Sequence, residues 1–535
     1  MTKIIVKRRK QAAKYSNVFS YMESRGFKLF PYQQTGVTWM LDRELGNSSI
    51  KGALLCDEPG LGKTIQTCAM MYGNPKSKTL LIVPGAVVHQ WKDAFERILP
   101  ECNIYLHHGS NRARTVSEMM MKNFNIAITT LGMVYGRKSS FRTVLHLMKW
   151  DRIVIDEIHY IRNKSSKTAV ACQELKATHK WGLTGTPIQN SESDLISLYK
   201  YIGVPSITKS KLPVINKHLL LRRTKEMVVK YNNQLKLPSL FQEIHALEFM
   251  NDRERTLYRK IKENAKEEYL EIVGNETMSN NEKMVELFEL LLRLRQATIH
   301  PQLVINGFQR KFDTKFKSYG QISTKMYQII QMIKQLDALK NVLVFCHYSE
   351  EIELMQNYLN EAGIMNEKYT GSMSMTERKA VLDKFPYKKE IRKIMEQKQI
   401  HVESIVKNVA NNFPRVLLIQ INAGGVGLNL QQFTEVFITS PDWNPSNEIQ
   451  AIARAHRLGQ TQSVTVHRFS LHDQNEEFST IDERIINIQT KKRQLMADYL
   501  NDESLKNTGK LNTSLISNKN FLHKLTENDF HQLFM

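Results

Sequence analysis

Two series of short apolar runs, each run followed by a helix-like stretch, constrain this chain more than any other feature. The first series is GALLC (Gly52 to Cys56), TLLIVPG from Thr79, NIAITTL from Asn125, DRIVIDE from Asp151 and HKWGLTGTP from His179. The second is NVLVFCHY from Asn341, RVLLIQI from Arg415, EVFITSP from Glu435 and SVTVHRF from Ser463. Short β-branched and apolar runs alternating with helical stretches predict parallel sheets covered by helices. Between the series, from about Asn251 to His300, the pattern turns helical and charged, with leucines at helix spacing in ELFELLLRLRQ. The expected fold is α/β: two parallel-sheet lobes joined by a helical insertion. A charged segment between Pro386 and Pro414 carries no strand pattern and is expected as a surface insertion in the second lobe.

Charge narrows the partners. Lys and Arg total 75 against 53 Asp and Glu, a formal net charge of +22 over 535 residues. Such an excess draws a chain toward polyanions through counterion release and long-range steering, without choosing between DNA, RNA and an anionic membrane surface. No apolar run is long enough to span a bilayer, and MTKIIVKRRKQAAK does not read as a secretory signal. The five cysteines (Cys56, Cys68, Cys102, Cys172, Cys346) form no C-x-x-C pair. A disulfide framework and a cysteine-rich zinc module are therefore not expected, and zinc is not expected as a partner. Lys7-Arg8-Arg9-Lys10 reads either as a nuclear import signal or as a solvated basic start to a helix.

The stretch DEPGLGKT, Asp57 to Thr64, sits between the first apolar run and a helical one. Its Gly62-Lys63-Thr64 fits a phosphate-binding loop, but Asp57 stands where the pattern wants glycine. In such a loop Gly60 and Gly62 let backbone N–H groups approach phosphates, Lys63 reaches the terminal phosphates, and Thr64 holds Mg²⁺. RIVIDEIH then ends a strand in two acids: Asp156 is a candidate for the metal, Glu157 for orienting or deprotonating water. Far downstream, QAIARAHRLGQ places Arg454 and Arg457 three apart, on one face if the segment is helical. A guanidinium suits the charge on a transferring phosphoryl group.

In this order, these motifs resemble helicase superfamily 2 and, within it, the Swi/Snf-type chromatin-remodelling and repair ATPases. LFPYQQTGVTWML resembles the family's adenine-side motif, which makes Gln33 the implied adenine contact. DEPGLGKTIQT resembles its nucleotide loop, where an Asp-Glu pair commonly precedes the glycines; Asp57, Glu58, Gly60, Leu61, Gly62, Lys63 and Thr64 are the implied ATP-binding residues. LLIVPGAVVHQW, DEIH, LTGTPIQN, LLLRRTKEMV, LLRLRQATIHP, TGSMSMTERKAVLDKF, AGGVGLNL, DWNP and ARAHRLGQ resemble further signatures, and TIDERIINIQTKKRQL the segment that packs back across both lobes. The resemblance runs from about Leu29 to Leu500 and implies two RecA-like lobes, ATP and Mg²⁺ as cofactors, and translocation on double-stranded DNA without strand separation. Its substrates would be protein–DNA complexes, nucleosomes or stalled RNA polymerase among them. It further implies that Thr184, Gly185 and Thr186 couple nucleotide state to DNA contacts. Trp91, Thr130, Gly371, Gly425, Trp443 and Asn444 would line the DNA path or its support, with packing the alternative for the two tryptophans. The expected divisions are 1–25, a basic segment; 26–210, the ATP-binding lobe; 211–320, helical insertion and linker; 321–485, the second lobe; and 486–535, a helical brace and tail.

The sequence departs from its relatives in two places. Gln420-Ile421-Asn422 replaces a hydroxyl and a basic residue before AGG, and Phe30 stands where a basic residue is common. No cysteine-rich ligase module fits between His300 and Ser323, and no histone reader is found. A compact motor of this kind is expected in the nucleus, or in the cytoplasm if it belongs to a virus replicating there. The alternatives are a strand-separating DNA or RNA helicase and a catalytically idle DNA-binding scaffold. Intact Lys63, Thr64, Asp156, Glu157, Arg454 and Arg457 weigh against the second.

Overall fold

A computed structural model describes residues 14–110, 112–135, 142–231, 237–385, 414–421, 428–475, 478–500 and 533–534. The chain divides into two compact units between Leu237 and Pro238, with Tyr499–Asn501 assigned to the first. The expected insertion at 386–413, the tail and the basic start lie mostly or wholly outside the described residues.

Among the described residues, the first unit holds seven strands: β1 (Lys51–Leu55), β2 (Thr79–Ile82), β3 (Ile104–Leu106), β4 (Ile126–Thr129), β5 (Trp150–Asp156), β6 (Ala177–Leu183) and β7 (Leu220–Leu221). Their spatial order is β3-β4-β2-β5-β6-β1-β7, every neighbouring pair parallel. Strands of such a sheet are covered on both faces, so they read as continuous apolar runs. Leu80, Leu81, Ile82, Ile153, Val154 and Ile155 are accordingly all fully buried. Strands β5, β6 and β1 are adjacent, and each ends in one of the motifs singled out above: Asp156-Glu157 after β5, Thr184-Gly185-Thr186 after β6, and the glycine loop after β1. Ligands of open parallel sheets bind at the carboxyl ends of strands. The sheet order therefore brings together motifs far apart in sequence.

The second unit holds β8 (Leu240–Glu248), β9 (Val342–Cys346), β10 (Asn366–Tyr369), β11 (Val416–Gln420), β12 (Glu435–Ile438) and β13 (Val464–His472), in the order β10-β11-β9-β12-β13-β8 and again all parallel. The helices Asp252–Gly274 and Asn280–Ile299 belong to this unit. Their inward stripe, including Tyr258, Tyr269, Leu287, Leu291 and Leu294, packs with Ile481 and Ile485 of the helix Ile481–Leu500. Asp482 of that helix is fully buried and ties it down: it pairs with Lys325 Nζ at 2.5 Å and accepts from Thr298 Oγ1 and the Leu471 N–H. Among the described residues, no helix is long and apolar enough to cross a membrane.

Candidate active site

The glycine loop owes its shape to two residues in the left-handed region, Gly60 (φ +95°) and Gly62 (φ +79°). Gly62 is also the N-cap of the helix Lys63–Gly73, and a side chain there would meet Gln33 Nε2 at 2.5 Å. Only glycine satisfies both constraints. The loop thus delivers its backbone N–H groups and the positive end of a helix to one place, the arrangement that receives phosphate. Lys63 Nζ donates to the Asp57 carbonyl at 2.8 Å, and Thr64 lies in the helix's first turn.

Asp57 turns out to be a strut. Its side chain is fully buried, accepting from Arg223 Nε at 2.8 Å and Gln66 Nε2 at 3.0 Å, with Arg223 Nη2 on the second oxygen. Arg223 also donates to the Tyr32 carbonyl and lies over the Tyr32 ring. Glu58 pairs with the next basic residue along, accepting from the Lys225 N–H at 2.8 Å and facing Lys225 Nζ at 3.3 Å. The acidic pair thus anchors the loop to the segment after β7. Removing one partner of a buried ion pair typically costs ~3–5 kcal/mol, which gives Asp57 a structural reason to stand in place of glycine. Gln33 closes the other side: its Oε1 accepts from the Phe30 N–H at 3.0 Å and its Nε2 donates to the Leu61 carbonyl at 3.3 Å.

At the end of β5, Asp156 accepts from Trp91 Nε1 at 2.8 Å and from the Glu157 N–H at 3.0 Å. Burial pushes its carboxyl up to about 6, and the neighbouring Glu157 charge adds to this, against the opposing pull of the Trp91 N–H and Lys63. Two adjacent carboxylates, one of them buried and so raised, form a site short of positive charge. A divalent cation would supply it, and an oxygen-donor set suits Mg²⁺. The residues present therefore fit the metal. Trp91 itself is buried against Phe95 with its single donor committed to Asp156, so it packs and orients within the unit.

Glu157 has φ +49°, a conformation that costs a non-glycine residue about 1–3 kcal/mol and is concentrated at functional sites. Its Oε2 accepts from Thr184 Oγ1 at 3.2 Å and lies 3.2 Å from His159 Nδ1. Thr184 Oγ1 in turn lies 2.9 Å from that nitrogen and accepts from the Thr186 N–H at 3.1 Å. Gly185 approaches the glycine loop so closely that a Cβ there would meet Pro59 Cδ at 2.5 Å. Arg222 Nη1 donates to the Gly185 carbonyl at 2.9 Å. The loop, the acids and the threonines thus form one connected site. His159 and Arg223, both central to it, were missed in the sequence; the DEIH string was the available signal for His159.

In the second unit, Arg454 is in the last turn of the helix Pro445–Ala455, but Arg457 lies beyond its end. The shared helical face expected for the pair is therefore not formed. His456 leaves helical geometry, with its Nε2 2.8 Å from the Pro238 carbonyl, while Gln460 Nε2 donates to the Ala455 carbonyl at 3.1 Å and closes the turn. Asn444 is the N-cap of this helix, accepting from the Ser446 N–H at 3.0 Å. Trp443 is partly buried against the helical core, and its carbonyl accepts from Lys492 Nζ at 3.0 Å. Gly371 is exposed, its carbonyl accepting from Arg378 Nη2 at 2.9 Å. In the first unit, Thr130 lies just before the helix Leu131–Tyr135 and its carbonyl accepts from the Met133 N–H. Gly425 lies outside the described residues, as does Asn422 of the divergent tripeptide.

Comparison with known proteins gives two domain matches along the chain. Residues 32–303 match the SNF2-related domain and residues 324–459 the helicase conserved C-terminal domain. The chain is 27% identical over 500 residues to the CHD3-type chromatin-remodeling factor CHR7 of Arabidopsis thaliana, covering 88% of this chain and 37% of that protein. It is 26% identical over 496 residues to the human SWI/SNF-related matrix-associated actin-dependent regulator of chromatin subfamily A member 1, covering 86% and 42%. The chain thus spans about two fifths of the length of these relatives. Among solved structures, the Sulfolobus solfataricus SWI2/SNF2 ATPase core in complex with dsDNA is 24% identical, covers 90% of this chain and 95% of its own, and gives a TM-score of 0.36. The SNF2-related match alone spans more than half of the 535 residues, and the chain belongs to the SNF2-related family, with that family's ATPase domain architecture.

Proposed function

We propose that this chain is an ATP-driven motor on double-stranded DNA that remodels or displaces protein–DNA complexes without separating the strands. The observation that carries the proposal is the convergence of the glycine loop, Asp156-Glu157 and Thr184-Thr186 at the ends of three adjacent strands in a member of this family. The loop N–H groups and Lys63 bind and orient the phosphates. Thr64 and Asp156 are the proposed holders of Mg²⁺, which when bound neutralises charge on the phosphate oxygens. Glu157 orients or deprotonates the attacking water, and its contact with Thr184 links its position to the segment carrying Thr186. Arg454 and Arg457 are proposed to stabilise charge on the transferring phosphoryl group. A polyanionic partner is supported by the +22 net charge, double-stranded DNA in particular by the chromatin-related names of the relatives, and nuclear placement is proposed on the same names. Nucleosomes or RNA polymerase on DNA are the proposed substrates.

The test is ATP turnover by the purified chain alone, with duplex DNA, with single-stranded DNA and with RNA, beside Glu157→Gln. Turnover should rise with duplex DNA and fall about 10²- to 10⁴-fold in the variant, the range of a lost general base. Stimulation mainly by RNA or single strands would replace the proposal with a helicase role. Absence of turnover under every condition would favour an idle scaffold.

A further inference from the structure

The edge of the second sheet carries a group of donors that the motor chemistry does not use. Strand β8 pairs with β13 so that Glu243 lies opposite His467 and His245 opposite Phe469. Residues two apart on a strand share a face, so Glu243 and His245 both reach toward His467. The three donor atoms form a nearly regular triangle. His467 Nδ1 is 3.1 Å from Glu243 Oε2 and 3.1 Å from His245 Nε2, and the third edge, His245 Nε2 to Glu243 Oε2, is 3.6 Å. Ligands bound at the usual nitrogen and oxygen distances of a tetrahedral zinc ion lie about 3.3–3.5 Å apart.

Hydrogen accounting distinguishes this group from an ordinary polar cluster. The other nitrogen of His467, Nε2, faces Glu435 Oε2 at 3.1 Å, and Glu435 is held by Lys340 Nζ at 2.5 Å. A carboxylate accepts the ring N–H there, which leaves Nδ1 presenting a lone pair to Glu243 and His245. A hydrogen on His245 Nε2 leaves His467 Nδ1 facing the Glu243 oxygen, and one on His467 Nδ1, in an imidazolium, still leaves the His245 and Glu243 acceptors facing each other 3.6 Å apart. One cation satisfies all three. A carboxylate behind the distal ring nitrogen is also the usual support of a metal-bound histidine. His467 and Glu435 are buried, whereas the Glu243 side chain is 52% exposed, so the fourth position faces solvent.

We propose that Glu243, His245 and His467 bind one divalent cation of the zinc class, with water as the fourth ligand. Two imidazoles and one carboxylate suit Zn²⁺ and its neighbours over Mg²⁺ or Ca²⁺, which prefer all-oxygen sets. The ion staples β8, the strand that opens the second unit, to β13. It is unrelated to the cysteine-rich modules that the cysteine spacing argues against.

The test uses the full chain, stripped by chelation and titrated with Co²⁺ in the absence of nucleotide. One equivalent should bind with the intense visible absorption of a four-coordinate ion and no thiolate charge-transfer band, and one equivalent of Zn²⁺ should displace it. Glu243→Gln and His245→Gln, on the open side, should each weaken binding at least about 10-fold. Glu435→Gln, which touches no metal, should weaken it ~10- to 100-fold. Absence of stoichiometric binding, binding unchanged in the Glu243→Gln, His245→Gln double variant, only the weak absorption of a six-coordinate ion, or a sulfur band would each overturn the proposal. If Glu435→Gln does not fold, the two open-side variants decide.

Discussion

At the scale of single residues, the site works by giving each charged group a defined partner, and Trp91 is the clearest case. Its N–H is one of two donors holding Asp156 ionised against burial and against Glu157. Trp91→Phe keeps a ring for packing but removes that donor, and hydrogen bonds to charged groups contribute about 1.5–3 kcal/mol. The expected result is a roughly 10-fold or greater rise in the Mg²⁺ concentration needed for half-maximal turnover, corresponding to that range. Nucleotide binding without Mg²⁺ should change little. A Mg²⁺ titration of steady-state turnover checks this, and an unchanged half-saturation would show that the contact only packs. Much of the site was legible in the sequence, because DEPGLGKT, DEIH and LTGT each sit at the end of a recognisable strand. What Asp57 does was not, since its partner Arg223 is 166 residues away and only the fold brings them together. The pairing of Arg454 with Arg457 was read from spacing alone, and spacing does not reveal that His456 ends the helix between them.

At the scale of elements, one helix start carries a pH dependence. His300 caps the helix Pro301–Phe312 by accepting from the Gln302 N–H at Nδ1, 3.0 Å away, with Nε2 3.2 Å from Tyr358 Oη. Burial pulls its imidazole down to about 4, only partly offset by the Gln321 backbone. In the unfolded chain the ring takes up a proton near pH 6.5, whereas in the folded chain it resists until about 4. Stability is therefore fully present above pH 6.5 and lost as pH falls from there toward 4, by about 3 kcal/mol at most. His300→Asn keeps a capping acceptor and removes the proton. Urea melts at several pH values should show a shallower acid slope for the variant, and equal slopes would contradict this origin. The elements invisible in the sequence were those at the sheet edges. β8 (LFQEIHALE) and β10 (NEKY) mix polar residues into their runs because one side faces solvent. The central strands, buried on both faces, announced themselves.

At the scale of the whole molecule, the +22 charge sets the binding thermodynamics. Affinity for duplex DNA should fall steeply with salt, by about 10³-fold between 50 and 200 mM if six phosphates are neutralised. Anisotropy titrations across that range measure the slope, and a flat response would mean that the basic excess lies away from DNA. The division into two parallel-sheet units was readable from the two series of runs. Where the chain passes from one to the other was not, because the short β7 joins the first sheet and β8 the second with little apolar signal between them.

The pairing of β8 with β13 carries a consequence for synthesis. His245 and His467 are 222 residues apart. At ribosomal speeds of roughly 5–20 residues per second, β8 emerges about 10–45 seconds before its partner strand β13. During that interval both of its edges are unpaired, where the folded sheet leaves one, and it bears Phe241 and Ile244, so it is the kind of segment that recruits strands from other chains. Shielding by a chaperone or by the helices that follow would lower that hazard, and slowing translation after residue 248 should favour aggregation over a folded chain.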